Sequence, residues 1–197
     1  MLKIFDLDRT LVPFDSNALF PQAIEMLREC KRQGDSVAVV TNQGGPACRD
    51  AGWGDKYPRY GDVVKRINEV HYNIYDILGR FCVMYTSFLY QAKSGAYLVP
   101  NQFADFRDAL ANGSYSTLPE MIHPANRKPN SGHVVLAITD YLALHKVDGI
   151  KVKISKETNL PFFFGLDNEV MFYGDSEDDR IAAQGAGIPF TLVEWGK

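Results

Sequence analysis

Apolar residues are distributed along the chain in short runs that alternate with segments of helical periodicity. Five runs predict buried strands: Leu2 to Leu7, Ser36 to Thr41, Phe81 to about Leu89, Val170 to Tyr173 and Ile188 to Val193. In the other segments apolar residues recur at every third or fourth position, which is the spacing of one helix face. These segments predict helices from Pro21 to Gly34, Val63 to Ile77 and Val134 to His145. Strands that alternate with helices are typical of an α/β fold with a parallel sheet.

Two stretches depart from this alternation. Residues 91–127 are less regular, with a short helix predicted through Phe103, Phe106 and Leu110, and residues 148–168 predict a hairpin. A connection as long as residues 91–126 is unusual within a compact domain. We therefore predict a single domain over residues 1–197, with a modest insertion at about 91–126.

The composition is that of a globular protein. Apolar residues make up 46% of the 197 residues, charged residues make up 23%, and the net charge is −3. No apolar run reaches the roughly 18 residues of a membrane helix, and the first residues lack the features of a signal peptide. Cys30, Cys48 and Cys82 are too far apart to predict a disulfide framework or a zinc site. We expect a cytoplasmic protein with reduced cysteines and no membrane partner, whose oligomeric state is open.

The first predicted strand ends in an acidic segment, Asp6-Leu7-Asp8-Arg9-Thr10. Open α/β sheets bind their ligands outside the carboxyl ends of the strands. Residues two apart on an extended strand point the same way, so we expect Asp6 and Asp8 to face one ligand. The alternative interpretation is a polar exit from the strand, where aspartate is common.

Two further polar clusters follow apolar runs. The second strand leads into Thr41-Asn42-Gln43-Gly44-Gly45, whose hydroxyl, amides and backbone N–H groups suit phosphate oxygens. The segment Arg127-Lys128-Pro129 brings a cation to the start of a predicted helix. Taken singly, the first cluster is equally a glycine turn, and the second is better explained as a surface pair of cations.

The fourth strand leads into an acidic segment, Gly174-Asp175-Ser176-Glu177-Asp178-Asp179. Acidic side chains packed this closely repel one another unless a cation or a helix N-terminus compensates their charge. A hard cation with oxygen ligands, Mg²⁺, is the economical explanation. A solvated acidic first turn of a helix is the alternative.

Together, the four clusters resemble the motifs of the haloacid dehalogenase (HAD) superfamily of phosphohydrolases. The matching segments are Phe5 to Thr10, Val39 to Gln43, Lys128-Pro129 and Gly174 to Asp179, followed by Ile181 to Ile188. The Thr-Asn-Gln triplet and Arg-Lys-Pro are similar to the branch that holds histidinol-phosphate phosphatase, heptose bisphosphate phosphatase and the 3′-phosphatase domain of polynucleotide kinases. The chain departs from that branch in lacking its Cys/His zinc loop, and it has Arg9 where glycine is commoner.

The resemblance implies a Rossmann-like three-layer sandwich with a central parallel sheet and little or no cap. It also implies roles for individual residues. Asp6 would be the nucleophile, Asp8 the general acid and base, and Thr41 and Lys128 further catalytic groups. Mg²⁺ would be held by Asp6, Asp175 and the backbone carbonyl of Asp8. Asn42 and Arg127 would bind substrate. Asp178 and Asp179 would orient the metal ligands without binding the metal ion themselves.

The function expected from this resemblance is hydrolysis of a phosphate monoester with Mg²⁺ through an aspartyl-phosphate intermediate. Asp8 favours a phosphatase over a dehalogenase, because dehalogenases of the superfamily need no acid for the leaving group. The acidic net charge favours a small phosphorylated metabolite as substrate. Nucleic-acid ends are the alternative, with Tyr97, Phe103, Phe106 and Tyr115 either stacking on bases or forming a core of their own. A phosphoacceptor or binding module without catalysis is the least favoured interpretation.

Overall fold

Strands and helices alternate along the chain in the computed structural model, which describes residues 1–196. The strands are β1 (Leu2–Phe5), β2 (Ser36–Asn42), β3 (Val83–Ser87), β4 (Tyr90–Gln91), β5 (Tyr97–Leu98), β6 (Lys151–Ile154), β7 (Pro161–Phe164), β8 (Val170–Gly174) and β9 (Phe190–Leu192). The α-helices are α1 (Pro21–Gln33), α2 (Gly45–Cys48), α3 (Tyr60–Leu78), α4 (Arg107–Ala111), α5 (Gly132–Leu144) and α6 (Glu177–Ala186). A π-helical turn, Arg49–Trp53, follows α2. Short 3₁₀ turns lie at Asn101–Phe106, Tyr115–Thr117, Glu120–Ile122 and Pro124–Asn126.

Five of the strands form one parallel sheet in the order β3-β2-β1-β8-β9. The central strand is β1, which pairs with β2 on one side and with β8 on the other. The strand order reverses at β1, because β2 and β3 lie on one side of it and β8 and β9 lie on the other. In open α/β sheets a ligand binds at such a reversal, outside the carboxyl ends of the strands. The topology therefore directs a ligand to the residues that follow β1, β2 and β8.

Helices cover both faces of the sheet. Ile4 and Phe172 belong to a core shared with α5 and α6, whereas Phe5 and Val39 belong to a core shared with α1 and α3. Successive strand residues point to opposite faces, so a strand buried on both faces is apolar along its length. Each fully buried large apolar side chain contributes about 1.5–3 kcal/mol relative to exposure. The predicted α/β sandwich of Rossmann-like form is confirmed.

Residues 91–126 pack as a small layer of their own against α3. They contain the short helix α4, several 3₁₀ turns and all of the β4–β5 hairpin except its first residue, Tyr90. Their apolar side chains build a third core around Leu89, Val99 and Leu110. The aromatic side chains of the segment are partly buried against this core: Tyr97, Phe103, Phe106 and Tyr115. This packing favours the interpretation of these rings as core over their interpretation as a base-stacking surface.

Most predicted elements are found, and the differences are local. The hairpin expected within 148–168 is formed by the antiparallel pair β6 and β7. The single helix expected through Phe103, Phe106 and Leu110 is wrong in detail, because a 3₁₀ turn, Asn101–Phe106, precedes α4 and Phe103 has non-helical dihedral angles. This change of helix type lets the Phe103 ring pack edge-on against Tyr60, with ring centroids 5.9 Å apart.

Two further features concern the cysteines and the lengths of the helices. Cys30, Cys48 and Cys82 are free, buried thiols. Burial raises the pKa of the Cys30 thiol to about 11, so this sulfur is kept as a neutral packing group. Within residues 1–196, every helix is too short or too polar to cross a lipid bilayer.

Candidate active site

A buried ion network lies at the carboxyl end of β1. Asp6 directly follows this strand, and its Oδ1 accepts a hydrogen bond from Lys128 Nζ. Lys128 Nζ also donates to Asp179 Oδ1 at 2.5 Å. The side chains of Asp6, Lys128 and Asp179 are 8%, 5% and 1% exposed, and we call these three residues the buried charge cluster. Two carboxylates share one ammonium group, so the ionised cluster has an excess of negative charge.

Asp179 is fixed by the first turn of α6. Its Oδ2 accepts hydrogen bonds from the Ser176 backbone N at 3.1 Å and from Ser176 Oγ at 2.6 Å. Ser176 Oγ accepts in return from Asp179 N at 3.3 Å, which completes a capping box. A Cβ at Gly174 would lie 2.6 Å from the Asp179 side chain. Glycine is therefore required at the end of β8 for Asp179 to reach Lys128.

Asp175 completes a group of three carboxylates. One oxygen each from Asp6, Asp175 and Asp179 lies within 4.8 Å of the others. Carboxylate oxygens are the ligands that Mg²⁺ prefers. Both oxygens of Asp179 already accept hydrogen bonds, from Lys128 and from Ser176. Asp6 and Asp175 are therefore better disposed than Asp179 to hold a cation directly.

The electrostatics of the cluster favour a bound cation. Burial raises the pKa of the Asp6 carboxyl to about 7, against the opposing effect of the Lys128 ammonium group. Burial, followed by the charge of Asp179, also raises the pKa of Asp175. Burial by itself would lower the pKa of Lys128, but Asp6 and Asp179 outweigh it and raise that pKa above its usual range. Lys128 therefore stays charged, whereas the two carboxyl groups lack enough positive charge around them.

The residues that follow β2 fix their neighbours through side-chain amides. Asn42 Nδ2 donates to the Lys128 carbonyl at 2.9 Å, and Asn42 Oδ1 accepts from Lys128 N at 3.0 Å. These two bonds hold the Lys128 backbone against the end of β2. Gln43 Nε2 donates to Thr41 Oγ1 at 3.0 Å. The buried Thr41 hydroxyl accepts this bond and can donate its own hydrogen to a ligand.

Asp8 lies nearer the surface, and two side chains hold its two oxygens. Arg66 Nη2 donates to Asp8 Oδ1 at 2.6 Å, and Gln43 Nε2 donates to Asp8 Oδ2 at 2.7 Å. The side chains of Asp8 and Arg66 are 17% and 18% exposed. We call Asp8, Arg66 and Gln43 the Asp8 anchor. It fixes the direction of a carboxylate that is open to solvent.

A cavity of about 880 Å³ opens beside the Asp8 anchor. Its walls combine acidic, basic and aromatic side chains, among them Asp15, Asp62, Arg59, Tyr57, Tyr90 and Arg127. Arg127 donates from Nη1 to the Leu89 carbonyl at 2.8 Å, and its guanidinium lies 5.5 Å from the centroid of the Tyr90 ring. Burial lowers the pKa of Arg127, an effect that the negative charge of Asp178 opposes. The cavity offers a cation for an anionic group and rings for an apolar one.

The structure brings the residues predicted from sequence to one edge of the sheet. Asp6, Lys128 and Asp179 are in direct contact, Asp175 adjoins them, and Thr41 adjoins Asp8 through Gln43. Asn42 contacts Lys128, Arg127 lines the cavity, and Asp178 is exposed on the first turn of α6.

Sequence reasoning missed two contacts at this edge. Arg66 on α3 pairs with Asp8, 58 residues away, although no sequence motif includes this arginine. Gln43 was predicted as a ligand for phosphate, but its amide holds Asp8 and Thr41. The spacing along α3 contains no signal for the first contact, because arginine is common on exposed helix faces.

Several solved structures are similar to this chain. D,D-heptose 1.7-bisphosphate phosphatase from B. bronchiseptica, complexed with magnesium and phosphate, is 18% identical, with 97% of this chain and 79% of that chain covered and a TM-score of 0.54. A HAD-like phosphatase from Mesorhizobium loti is 20% identical over 94% of this chain and 68% of that chain, with a TM-score of 0.49. A 4-nitrophenylphosphatase from Thermotoga maritima is 16% identical over 100% and 86%, with a TM-score of 0.39. No protein-family model and no curated protein matches the chain.

The first of these similarities carries the argument about the fold. It spans nearly the whole chain, and at 18% identity it establishes a common fold. The fold that the resemblance to the HAD phosphohydrolases implies is confirmed. The chemistry has to be argued from the residues at the edge of the sheet.

Proposed function

We propose that this chain, which has the fold of HAD-type phosphatases, hydrolyses a phosphate monoester with Mg²⁺ through an aspartyl-phosphate on Asp6. The observation that carries the proposal is the contact of Asp6 with Lys128, which is 122 residues away, at the carboxyl end of the central strand. A nucleophile, a cation and further carboxylates thus meet where the topology directs a ligand. The phosphatase with magnesium and phosphate among the similar structures supports the same chemistry.

The donor set fits Mg²⁺. Asp6 and Asp175 supply hard carboxylate oxygens within 4.8 Å, and Asp179 behind them is oriented by Ser176 and Lys128. We propose that Asp6, Asp175 and the backbone carbonyl of Asp8 hold the ion and that Asp179 supports them, with Asp178 contributing only its charge. When bound, Mg²⁺ would supply the positive charge that lets one anion approach another.

In the first step the Asp6 carboxylate attacks phosphorus, and the bond from phosphorus to the leaving oxygen breaks. Lys128 neutralises charge on Asp6 and on the transferring phosphoryl group. The Thr41 hydroxyl donates to a phosphoryl oxygen, since its own oxygen already accepts from Gln43. Both amide ends of Asn42 are occupied by Lys128. We therefore propose that Asn42 positions Lys128, in place of the substrate contact expected from sequence.

Asp8 carries the proton in both steps. Its carboxyl group gives a proton to the leaving oxygen as the aspartyl-phosphate forms, so the leaving group departs as a neutral alcohol. A water molecule then attacks phosphorus and gives a proton to the Asp8 carboxylate, while the bond from phosphorus to the Asp6 oxygen breaks. This step releases phosphate and restores Asp6 as a carboxylate and Asp8 as an acid. Asp8 lies two residues after Asp6 and lines the cavity, which supports this assignment.

The cavity supports a small phosphorylated metabolite as substrate. Its volume of about 880 Å³ is within the range of small-molecule sites. Arg127 offers a charge to an anionic group of the substrate, and Tyr57 and Tyr90 offer ring faces. Asp15 and Asp62 also line the cavity, and such acids interrupt the basic surface that a nucleic-acid strand with several phosphates would need.

The experiment that tests the function is hydrolysis of p-nitrophenyl phosphate with and without Mg²⁺, followed by a screen of phosphorylated metabolites. We expect turnover that requires Mg²⁺ and is abolished by EDTA. Acid-quenched protein should carry phosphate on Asp6. Turnover that persists with EDTA, or a complete lack of turnover across the screen, would refute the proposal and favour a binding module without catalysis.

A 3′-phosphorylated oligonucleotide in the same screen tests the alternative substrate class. Binding to several backbone phosphates weakens steeply with salt through counterion release. We expect weak binding of the strand and a higher kcat/KM for some small ester. A clear preference for the strand, with a steep dependence on salt, would replace the metabolite by nucleic-acid ends.

A further inference from the structure

Arg66 makes a set of contacts that a surface arginine does not need. Its Nη2 donates to Asp8 Oδ1 at 2.6 Å, to the Pro13 carbonyl at 3.0 Å and to the Ser16 carbonyl at 3.1 Å. Its Nε lies 3.3 Å from the same Ser16 carbonyl. Three acceptors from the segment after β1 thus converge on one guanidinium from α3. The Arg66 guanidinium is thus held by two backbone carbonyls and binds one carboxylate, that of Asp8.

The carboxylate that Arg66 faces is otherwise weakly held. Asp8 follows β1 in a tight turn, where Arg9 N donates to the Val12 carbonyl at 2.7 Å. Its side chain is 17% exposed, against 8% for Asp6. Apart from Arg66, the side-chain donor to Asp8 within residues 1–196 is Gln43. The direction of this carboxylate therefore depends on two long side chains rather than on packing.

We propose that Arg66 is a positioning residue for the acid and base Asp8, an inference that rests on the phosphatase function proposed above. Arg66 and Asp8 both line the 880 Å³ cavity, in which the leaving group of a phosphate ester would lie. The guanidinium holds Asp8 Oδ1, and Gln43 holds Asp8 Oδ2. Together they keep the carboxyl group directed at the oxygen that receives its proton.

The shape of arginine is required for this arrangement. Its planar group presents several N–H donors in a fixed fork, so it can bind a carboxylate and two carbonyls at once. A lysine keeps the charge, but it is a point donor on a flexible stem. A lysine at position 66 would therefore retain the attraction to Asp8 and lose its direction. Glutamine removes the charge and keeps part of the length.

Leaving-group dependence separates positioning of the acid from support of the fold. An alkyl phosphate needs a proton on its leaving oxygen, whereas p-nitrophenolate departs readily without one. General acid catalysis typically contributes about 10²–10⁴-fold. For Arg66→Gln we expect the single-turnover rate on an alkyl phosphate to fall about 10²-fold. The loss with p-nitrophenyl phosphate should be much smaller, and KM should change little for both esters.

The matched control is Lys65→Gln on the same helix. Lys65 is 77% exposed, and its Nζ lies 3.8 Å from Glu69 Oε1. The substitution therefore removes one positive charge, as Arg66→Gln does, from the neighbouring position. We expect wild-type rates for this variant. Arg66→Lys should have an intermediate rate, and methylguanidinium added to Arg66→Ala should restore turnover of the alkyl ester. These two variants provide the test if Arg66→Gln folds poorly.

The outcomes distinguish this inference from the function on which it rests. An active wild type with equal losses on both esters, no loss on either, or no rescue by methylguanidinium would overturn the positioning role and leave the phosphatase intact. A wild type that hydrolyses neither ester with Mg²⁺ would overturn both. Selective loss on the alkyl ester with rescue by methylguanidinium would establish Arg66 as the residue that directs the acid.

Discussion

The two halves of the proposed site hold their carboxylates in different ways. In the buried charge cluster, Asp6 and Asp179 are enclosed by protein and share Lys128, with side chains at most 8% exposed. In the Asp8 anchor, the carboxylate is about twice as exposed as that of Asp6, and Arg66 and Gln43 each hold one of its two oxygens. The first arrangement is rigid because every group is packed. The second is directed, but it remains accessible to the cavity.

This difference matches what each half must do. Charges that hold a metal ion and a transferring phosphoryl group are most effective where water is excluded and dipoles are fixed in advance. A group that exchanges protons with a leaving group and then with water must be reached by both. One edge of a sheet can supply both environments, because Asp6, the residue after β1, is buried and the chain reaches the cavity two residues later at Asp8.

The strongest test of the buried half is Asp6→Asn. Loss of the nucleophile should lower turnover of p-nitrophenyl phosphate by about 10⁴-fold or more. Because burial raises the pKa of Asp6 to about 7, the ionised form is disfavoured by the metal-free fold. A neutral amide should therefore leave the melting temperature without Mg²⁺ unchanged or higher.

Glu177→Gln is the control for Asp6→Asn. Glu177 belongs to the same acidic segment, but it is 64% exposed and pairs with Arg180. We expect wild-type activity for this variant. Comparable activity of Asp6→Asn and the wild type would remove Asp6 as the nucleophile.

Lys128→Met should lower the free energy of unfolding, because it removes the cation of the buried half. It leaves Asp6 and Asp179 buried without their shared cation, and breaking a buried ion pair in this way typically costs about 3–5 kcal/mol. Urea unfolding should show this loss, and added Mg²⁺ should recover part of it by replacing positive charge. Lys65→Met, at the exposed surface, should change the free energy of unfolding by about 0.5 kcal/mol or less. An unchanged free energy of unfolding for Lys128→Met would mean that the cluster is not ionised.

The pH dependence of Mg²⁺ binding should report the buried half. A carboxyl group whose pKa lies near 7 is protonated below that pH in the metal-free protein, and the ion must displace the proton. Mg²⁺ affinity should therefore fall as pH decreases through 7, by up to about tenfold per pH unit for each proton displaced, and level off above it. Calorimetry in buffers of different ionisation enthalpy would detect the proton released. Binding without proton release near pH 7 would contradict the raised pKa of Asp6.

The smallest effect is expected for Gln43→Met in the exposed half. The variant keeps the volume of the side chain and removes its hydrogen bonds to Asp8 and Thr41. Arg66 still holds the other oxygen of Asp8, so a loss of about tenfold or less in kcat is expected. The loss should again be larger for an alkyl phosphate than for p-nitrophenyl phosphate. A loss as large as that of Asp6→Asn would show that the two halves are not independent.

Local sequence patterns are enough to predict the main strands and helices, their order along the chain and most residues of the proposed site. Each strand that carries a site residue is an apolar run followed by a polar cluster. One short segment of sequence therefore predicts both the strand and its site residues. Because parallel strands end at one edge, clusters after β1, β2 and β8 had to meet there. The acidic segment from Asp175 to Asp179 is also a local pattern, because acidic side chains favour the first turn of a helix.

The pairing of side chains across the site is visible only in the folded protein. Asn42 contacts Lys128 across 86 residues of sequence, and Arg66 contacts Asp8 across 58. The periodicity of α3 shows which face is buried, but it cannot show that an arginine at the edge of that face lies over the turn after β1. The insert aromatics were ambiguous for the same reason, until the third core around Leu89 and Leu110 accounted for them. Pairing depends on the distance and angle between elements, and those are set by the packing of side chains that lie far apart in sequence.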